Sequence, residues 1–169
     1  MCNATVRLCN GERCAKSIAH TDNLKHFAFS VFVFNSKHEL LMQKRARCKY
    51  HSGGLWSNTC CGHPLQYRLD DINREAKKRL EEEMGICCDL KFAGVVEYQI
   101  HCDNMYENEF DYVFVGYYDD NPHINRTEVE SYRWVDMNEI STELLNVNNR
   151  LTEWFKIIMK SNVLNKYIV

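Results

Sequence analysis

The chain is short of proline, of long apolar runs and of any excess of one charge. Only Pro64 and Pro122 occur in 169 residues, and no low-complexity segment or internal repeat divides the chain. A single domain over residues 1–169 is therefore expected, a length at which a chain buries a real core. No apolar stretch approaches the roughly 20 residues of a membrane span. The N-terminal MCNATVRLCNGERC lacks the continuous apolar segment of a secretory signal. A net charge of −2 gives no basic footprint for general nucleic-acid binding. Nine cysteines are present, among them the adjacent pairs Cys60–Cys61 and Cys87–Cys88, but no C-x-x-C. An odd count in a chain this long is unlike a secreted disulfide framework. A reducing cytosol is expected, with most thiols serving as small core residues. The composition is otherwise that of an ordinary water-exposed chain, 45% apolar and 26% charged.

What is present is a succession of strands punctuated by helices. Thr5–Leu8 reads as a short strand with Asn10-Gly11 as its turn. The run from His26 to Phe34 is strongly β-forming and apolar on both faces, and Glu39–Lys44 returns from it. Leu90–Ile100, Asn108–Tyr118 and Ser131–Val135 follow as strands, with Asn138–Leu145 as a short helix. Leu151, Trp154, Phe155 and Ile158 make an apolar helical face. The expected class is α/β or α+β, a mixed sheet flanked by helices.

The stretch from Leu55 to Gly85 organises the rest. LWSNTCCGHP reads as a buried strand with Cys61 and His63 on one side and Cys60 on the other. DDINREAKKRLEEEMG reads as a helix opened by Asp70 and Asp71 as cap candidates and closed by Gly85. Ile72, Ala76, Leu80 and Met84 form its apolar stripe, and Arg79 and Glu83 fall inside that stripe. A charge on an inward face needs a partner or a metal. Glu83 is thus a metal-ligand candidate and Arg79 an anion clamp. The plainer reading is an Arg–Glu pair at i, i+4 on a solvated face.

Four constellations could carry chemistry. His20, His26, His63, Glu107 and Glu109 offer nitrogen and carboxylate ligands suited to a divalent first-row metal such as Zn²⁺ or Mn²⁺. Taken singly, each histidine reads more simply as an isolated surface or core residue. Lys16, Arg45, Lys49 and Arg79 could converge on a phosphate or diphosphate, or be scattered surface charge. Cys61 could be an acid, a base or a nucleophile, or one of two core cysteines. Trp154, with Trp56 and Tyr98, could stabilise a cation, although plain packing suits an aromatic at helical spacing.

The segments HTDNLKHFAFS, KRARCKYHSGGLWSNTCCGHP, RLEEEMG and YENEF resemble type I isopentenyl diphosphate isomerases, which use the Nudix fold. The resemblance runs from about Lys16 to Trp154. It implies a mixed sheet sandwiched between helices and a reversible conversion of isopentenyl diphosphate into dimethylallyl diphosphate. It implies Cys61 as the catalytic thiol and Glu109 as the carboxyl group opposite, with Tyr98 hydrogen-bonded near the acid. Trp154 would lie over the reacting carbon. His20, His26, His63, Glu107 and Glu109 would hold one metal, Mn²⁺ or Zn²⁺. Glu83 and the Cys61 carbonyl would meet a Mg²⁺ that travels with the substrate. Lys16, Arg45, Lys49 and Arg79 would contact the diphosphate of a small isoprenoid substrate. A cytosolic monomer with no nucleic-acid or membrane partner is expected. The resemblance also frames a conflict at Glu109, because a cation favours the ionised carboxylate while alkene protonation needs a proton nearby. One oxygen for the metal and the other for the proton, supported by Tyr98, would resolve it.

The Nudix box, G-x5-E-x7-R-E-U-x-E-E-x-G-U with U aliphatic, is altered. Aligned on Glu82-Glu83-Met84-Gly85-Ile86, its first Gly falls on Pro64 and its first Glu on Asp70, and its Arg-Glu pair becomes Lys78-Arg79. A cation then stands where a hydrolase would hold metal to activate water. That favours gripping a diphosphate over cutting it. The rivals are a Nudix hydrolase of a nucleoside or isoprenoid diphosphate and a silent metal- or diphosphate-binding module. Retention of Cys61 with Glu107 and Glu109 argues against the binder.

Overall fold

A computed structural model describes residues 4–168. The elements in chain order are β1 (Thr5–Arg7), β2 (Arg13–Ala15), α1 (Lys16–Thr21), β3 (His26–Phe34), β4 (Leu40–Arg45), β5 (Trp56–Ser57) and β6 (Cys60–Gly62). They continue with α2 (Leu69–Met84), β7 (Leu90–Cys102), β8 (Met105–Tyr117), β9 (Val129–Val135), α3 (Met137–Leu145) and α4 (Glu153–Lys160). β1 and β2 form a small antiparallel pair, and the other strands form a seven-stranded mixed sheet. β3 runs parallel to β8, with registers from His26↔Glu109 to Phe34↔Tyr117.

Alternation along β3 divides the core in two. Phe29, Val31 and Val33 pack with Cys60 and with Ile72, Ala76, Leu80 and Met84 of α2. Phe32 and Phe34 face the other way, onto Trp154, Phe155 and Ile158 of α4. Helices therefore cover both faces of the sheet, the expected mixed α/β architecture. Phe32, Phe34, Phe114 and Phe155 are fully buried, and each contributes about 1.5–3 kcal/mol relative to an exposed ring.

The sheet forks where β3 and β4 separate, because they share only the pair Phe34↔Leu40. Beyond that point β6 pairs with β3 and β9 pairs with β4. Thr59 fills the fork. Its hydroxyl accepts from Val33 N at 2.9 Å and donates to Leu41 O at 2.6 Å, in place of a ladder bond. Asn58 donates to Val31 O at 3.2 Å and to Cys60 O at 2.8 Å. The single strand expected through LWSNTCCGH is therefore two short ones, broken at Asn58-Thr59, and His63 lies beyond the strand end. Gly62 is required there, since a Cβ would stand 2.4 Å from the Phe29 ring.

Several boundaries shift. α2 begins at Leu69 with Arg68 as its N-cap and no side-chain cap bond. Asp70 and Asp71 are first-turn residues instead, where the helix dipole favours a carboxylate. Gly85 closes the helix in the left-handed conformation, φ 65°, as expected. β8 begins at Met105, which puts both Glu107 and Glu109 inside the strand. Leu151 lies outside α4, in a bridge with Trp56. α1, β2 and the separate β5 were not expected at all.

Candidate active site

β8 sends Glu107, Glu109 and Asp111 to the α4 side of the sheet, and all three are buried. Parallel pairing sets His26 beside Glu109. α1 supplies His20, and the segment after β6 supplies His63. Donor atoms of His20, His26, His63 and Glu107 all lie within 4.8 Å of one another. Glu109 is not part of that mutually close set but adjoins it, with Oε1 2.9 Å from His63 Nε2 and 3.5 Å from His26 Nε2.

The donor set fits a divalent cation. His20 Nδ1 donates to Tyr106 O at 3.0 Å and His26 Nδ1 to Leu24 O at 2.7 Å. A carbonyl only accepts, so in the neutral rings each Nε2 carries a lone pair. Both Nε2 atoms are buried without a hydrogen-bond partner. A backbone-anchored Nδ1–H with a bare Nε2 is the tautomer a metal-bound imidazole takes. Burial disfavours charge on His26, but Glu109 outweighs it and raises the ring above its ordinary value, so a proton competes for that nitrogen. Burial also opposes ionisation of Glu107, yet His20 and His51 hold it well below the usual carboxylate range.

Glu109 divides its oxygens. Oε1 faces the imidazoles, while Oε2 accepts from the Tyr98 hydroxyl at 2.5 Å. Tyr98 also lies 3.0 Å from Asp111 Oδ2, which accepts from Ser30 Oγ at 2.7 Å. Burial and the charge of Glu109 push Asp111 up to about 8. Burial, opposed by the histidines, leaves Glu109 below its ordinary value. Cys61 completes the row. Its thiol donates to Asn58 Oδ1 at 3.2 Å and lies 3.8 Å from Ser30 Oγ. Burial, reinforced by Asp111, pushes that thiol up to about 12. Cys60 points into the α2 core.

Two of the four basic residues, Lys49 and Arg79, share one acidic partner. Glu128 Oε2 accepts from Arg79 Nη2 at 2.9 Å and pairs with Lys49. Arg79 also meets Glu83 Oε1 at 2.6 Å, and Gln43 Nε2 donates to Glu83 Oε2 at 2.8 Å. The Arg–Glu pair at i, i+4 is thus present, but Glu83 is only 4% exposed, so its face is not solvated. Arg45 stacks on the Trp154 indole, 5.1 Å from its centroid. Lys16 stands 4.6 Å from the Tyr50 ring centroid. Burial pulls Lys16 down to about 8 against the pull of Glu107 and Glu109, with Arg45 and Lys49 adding to the depression. Trp154 therefore both packs in the core and meets a cation. Trp56 does not join the site. It carries Arg133, 4.4 Å from its ring centroid.

A NUDIX domain model matches residues 24–155. A Photorhabdus laumondii protein named isopentenyl-diphosphate Delta-isomerase 2 is 43% identical over 146 residues, covering 85% of this chain and 81% of that one. Isopentenyl-diphosphate Delta-isomerase 1 of Aromatoleum aromaticum is 47% identical, over 76% of this chain and 72% of that one. The chain belongs to the isopentenyl-diphosphate Delta-isomerase family of NUDIX proteins. The fold is also that of a Deinococcus radiodurans protein of known structure, with a TM-score of 0.72 at 10% identity, covering 92% of this chain and 96% of that one. A MutT protein from Methanosarcina mazei has a TM-score of 0.63 at 18% identity, over 85% and 92% of the two chains.

This member of the isomerase family carries site residues that its sequence did not single out. Asp111 lies on the expected acidic side of β8, yet its tie to Tyr98 and Ser30 depends on three strands meeting. His51 reaches Glu107 from a loop with no periodicity to place it. Asn58 and Gln43 are found only through the fork. Glu128, the shared partner of Lys49 and Arg79, comes from the turn before β9.

Proposed function

We propose that the protein interconverts isopentenyl diphosphate and dimethylallyl diphosphate, with Cys61 and Glu109 as the proton-exchanging groups. The observation that carries this reading is a thiol and a carboxyl group on one buried sheet face, joined through Ser30, Asp111 and Tyr98. The names of relatives at 39–47% identity support it.

An unactivated alkene is a poor base, so its protonation needs a placed acid and little water. One of the two groups delivers a proton to the terminal alkene carbon, and the other takes a proton from C2. The roles reverse in the back reaction. The high value of the Cys61 thiol keeps its proton in place until substrate is bound. Tyr98 donates a hydrogen bond to Glu109 Oε2 and so orients it. Protonation leaves a tertiary carbocation that water would capture. Trp154 offers it a π face without a nucleophile. Lys16, Arg45, Lys49 and Arg79 grip the diphosphate, with Arg79 and Lys49 turning from Glu128 to do so.

His20, His26, His63, Glu107 and Glu109 would hold Mn²⁺ or Zn²⁺, and Glu83 with the Cys61 carbonyl would meet a Mg²⁺ carried by the diphosphate. When bound, these cations neutralise clustered carboxylates and diphosphate charge. Glu83 Oε1 becomes free for that role when Arg79 swings to the diphosphate. The same reading makes the enzyme a cytosolic monomer. The eight cysteines among the described residues, all free, are in keeping with a reducing compartment.

The test is to incubate purified protein with isopentenyl diphosphate and Mg²⁺ and follow the products by NMR. Dimethylallyl diphosphate is expected, whereas release of phosphate would favour a hydrolase. Cys61→Ala should abolish turnover with fold and metal content intact. Cys60→Ala should stay active, with a packing cost of about 1 kcal/mol. Identical behaviour of the two variants would remove Cys61 from its role.

A further inference from the structure

His51 lies in the irregular segment between β4 and β5, yet it is 95% buried, with only 5% of its surface exposed. Its Nε2 is 2.7 Å from Glu107 Oε1. Its Nδ1 is 3.2 Å from Ser52 Oγ, a hydroxyl that can donate to it. The Nε2–H is therefore free to serve Glu107. The other oxygen, Glu107 Oε2, lies 3.3 Å from His20 Nδ1 and stays on the side of the histidine cluster. The His51 ring packs edge-on against Trp154 at 5.6 Å and against Tyr50 at 4.3 Å between centroids. Its backbone carbonyl accepts from Arg45 Nη2 at 3.3 Å.

The segment is clamped to the tip of the β7–β8 hairpin, because Ser52 N donates to Asp103 Oδ2 at 2.8 Å. Asp103 and Asn104 form the two-residue hairpin turn, with φ 50° and 64°. Ser52, on the other side, has φ 52°. The Ser52–Asp103 bond ties the segment to the hairpin, and His51 is its inward-pointing member.

We propose that His51 is a positioning residue for the metal centre. It ties down one oxygen of Glu107, so that the second is presented to the cation with no reorientation. The proposal rests on the isomerase reading for its effect on turnover, but its effect on metal affinity does not need that reading. A carboxylate ligand anchored by a neighbouring donor is worth on the order of 10- to 100-fold in metal affinity.

Three variants separate the donor from the ring. His51→Phe keeps the aromatic edge against Trp154 and Tyr50 but removes the donor. His51→Gln restores an N–H near the position of Nε2. Cys102→Ser tests the neighbouring thiol, because His51, Cys102 and Glu107 also lie within 4.8 Å of one another. Metal affinity is measured by competition between apoprotein and a chromogenic chelator for Mn²⁺ or Zn²⁺, with stoichiometry by elemental analysis. Thermal melts check that each variant folds.

His51→Phe should weaken the metal about 10-fold or more, and His51→Gln should recover most of that loss. Cys102→Ser should bind as the unaltered chain does. In turnover assays with limiting metal, His51→Phe should lower kcat and leave KM for isopentenyl diphosphate nearly unchanged. Unaltered metal affinity in a folded His51→Phe would overturn the proposal, as would failure of a folded His51→Gln to recover. Two metals per chain, falling to one in both His51→Phe and Cys102→Ser, would also overturn it by making His51 a ligand. An unaltered chain that fails to isomerise but shows the expected affinities would sink the isomerase reading and leave the role of His51 standing.

Discussion

Asp111 is a buried carboxyl group held well above its ordinary value. Its value rises from 3.8 to about 8, through burial and the charge of Glu109. A carboxyl group whose folded value is raised stabilises the fold below its unfolded value, and that contribution fades as pH rises through the folded one. The window here runs from about pH 4 to about pH 8. Asp111→Asn keeps an oxygen for Ser30 and Tyr98 and cannot ionise. In the metal-free protein it should therefore raise stability modestly at pH 5, by about 1–2 kcal/mol, and more at pH 9, by on the order of a few kcal/mol. Melting temperatures of both proteins in a chelator, at the two pH values, measure this. An equal shift at both would show that Asp111 ionises without cost. At this scale the sequence was uneven. Strand alternation marked Glu107, Glu109 and Asp111 as one face, because period two survives in any strand. It could not show that Tyr98 from a neighbouring strand stands between two of them.

At the scale of elements, α2 was the most legible, because Ile72, Ala76, Leu80 and Met84 keep a helical period over its whole length. The same geometry separates Glu83 from Glu82. Glu83 is buried under Gln43 and Arg79, while the Glu82 side chain is 47% exposed and meets Lys78 and Arg79 at 3.7 and 3.5 Å. Exposed pairs contribute about 0–1 kcal/mol. Glu82→Gln should thus change kcat/KM by less than about fivefold. Glu83→Gln should weaken the Mg²⁺ dependence about tenfold or more, since the anionic oxygen proposed to meet that cation is removed. Titrations of rate against Mg²⁺ distinguish them, and a larger loss at Glu82 would contradict the inward placement of Glu83. Shorter elements were illegible for a physical reason. α1 has six residues, too few to show a period, and it is held by docking against β8 rather than by its own propensity. The strand through LWSNTCCGH looked continuous because nothing local announces a fork. The break comes from Thr59, whose hydroxyl stands in for backbone between β3 and β4.

At the scale of the whole molecule, the parallel pairing of β3 with β8 sets the order in which the protein can assemble. Ser30 and Asp111, hydrogen-bonded across that pairing, are 81 positions apart in the chain. Closing so long a loop is an entropic search that must finish before the contacts beside it reward it. His20 and His26 lie at one end of that loop, Glu107 and Glu109 at the other and His63 within it, so they gather only after the search succeeds. A cation that needs all of them has little to hold in the folding transition state and much to hold in the native one. Interactions absent from the transition state act on escape from the native state rather than on arrival. Metal-loaded and metal-stripped protein should then refold at the same rate in stopped-flow experiments, while the loaded form unfolds at least about tenfold more slowly. Metal-accelerated refolding would mean that the histidine cluster nucleates the sheet instead. On this topology a cation held by that cluster would set the lifetime of the fold, not the speed of its formation, and a cell that withdrew the metal would shorten how long each molecule lasts without slowing the making of new ones.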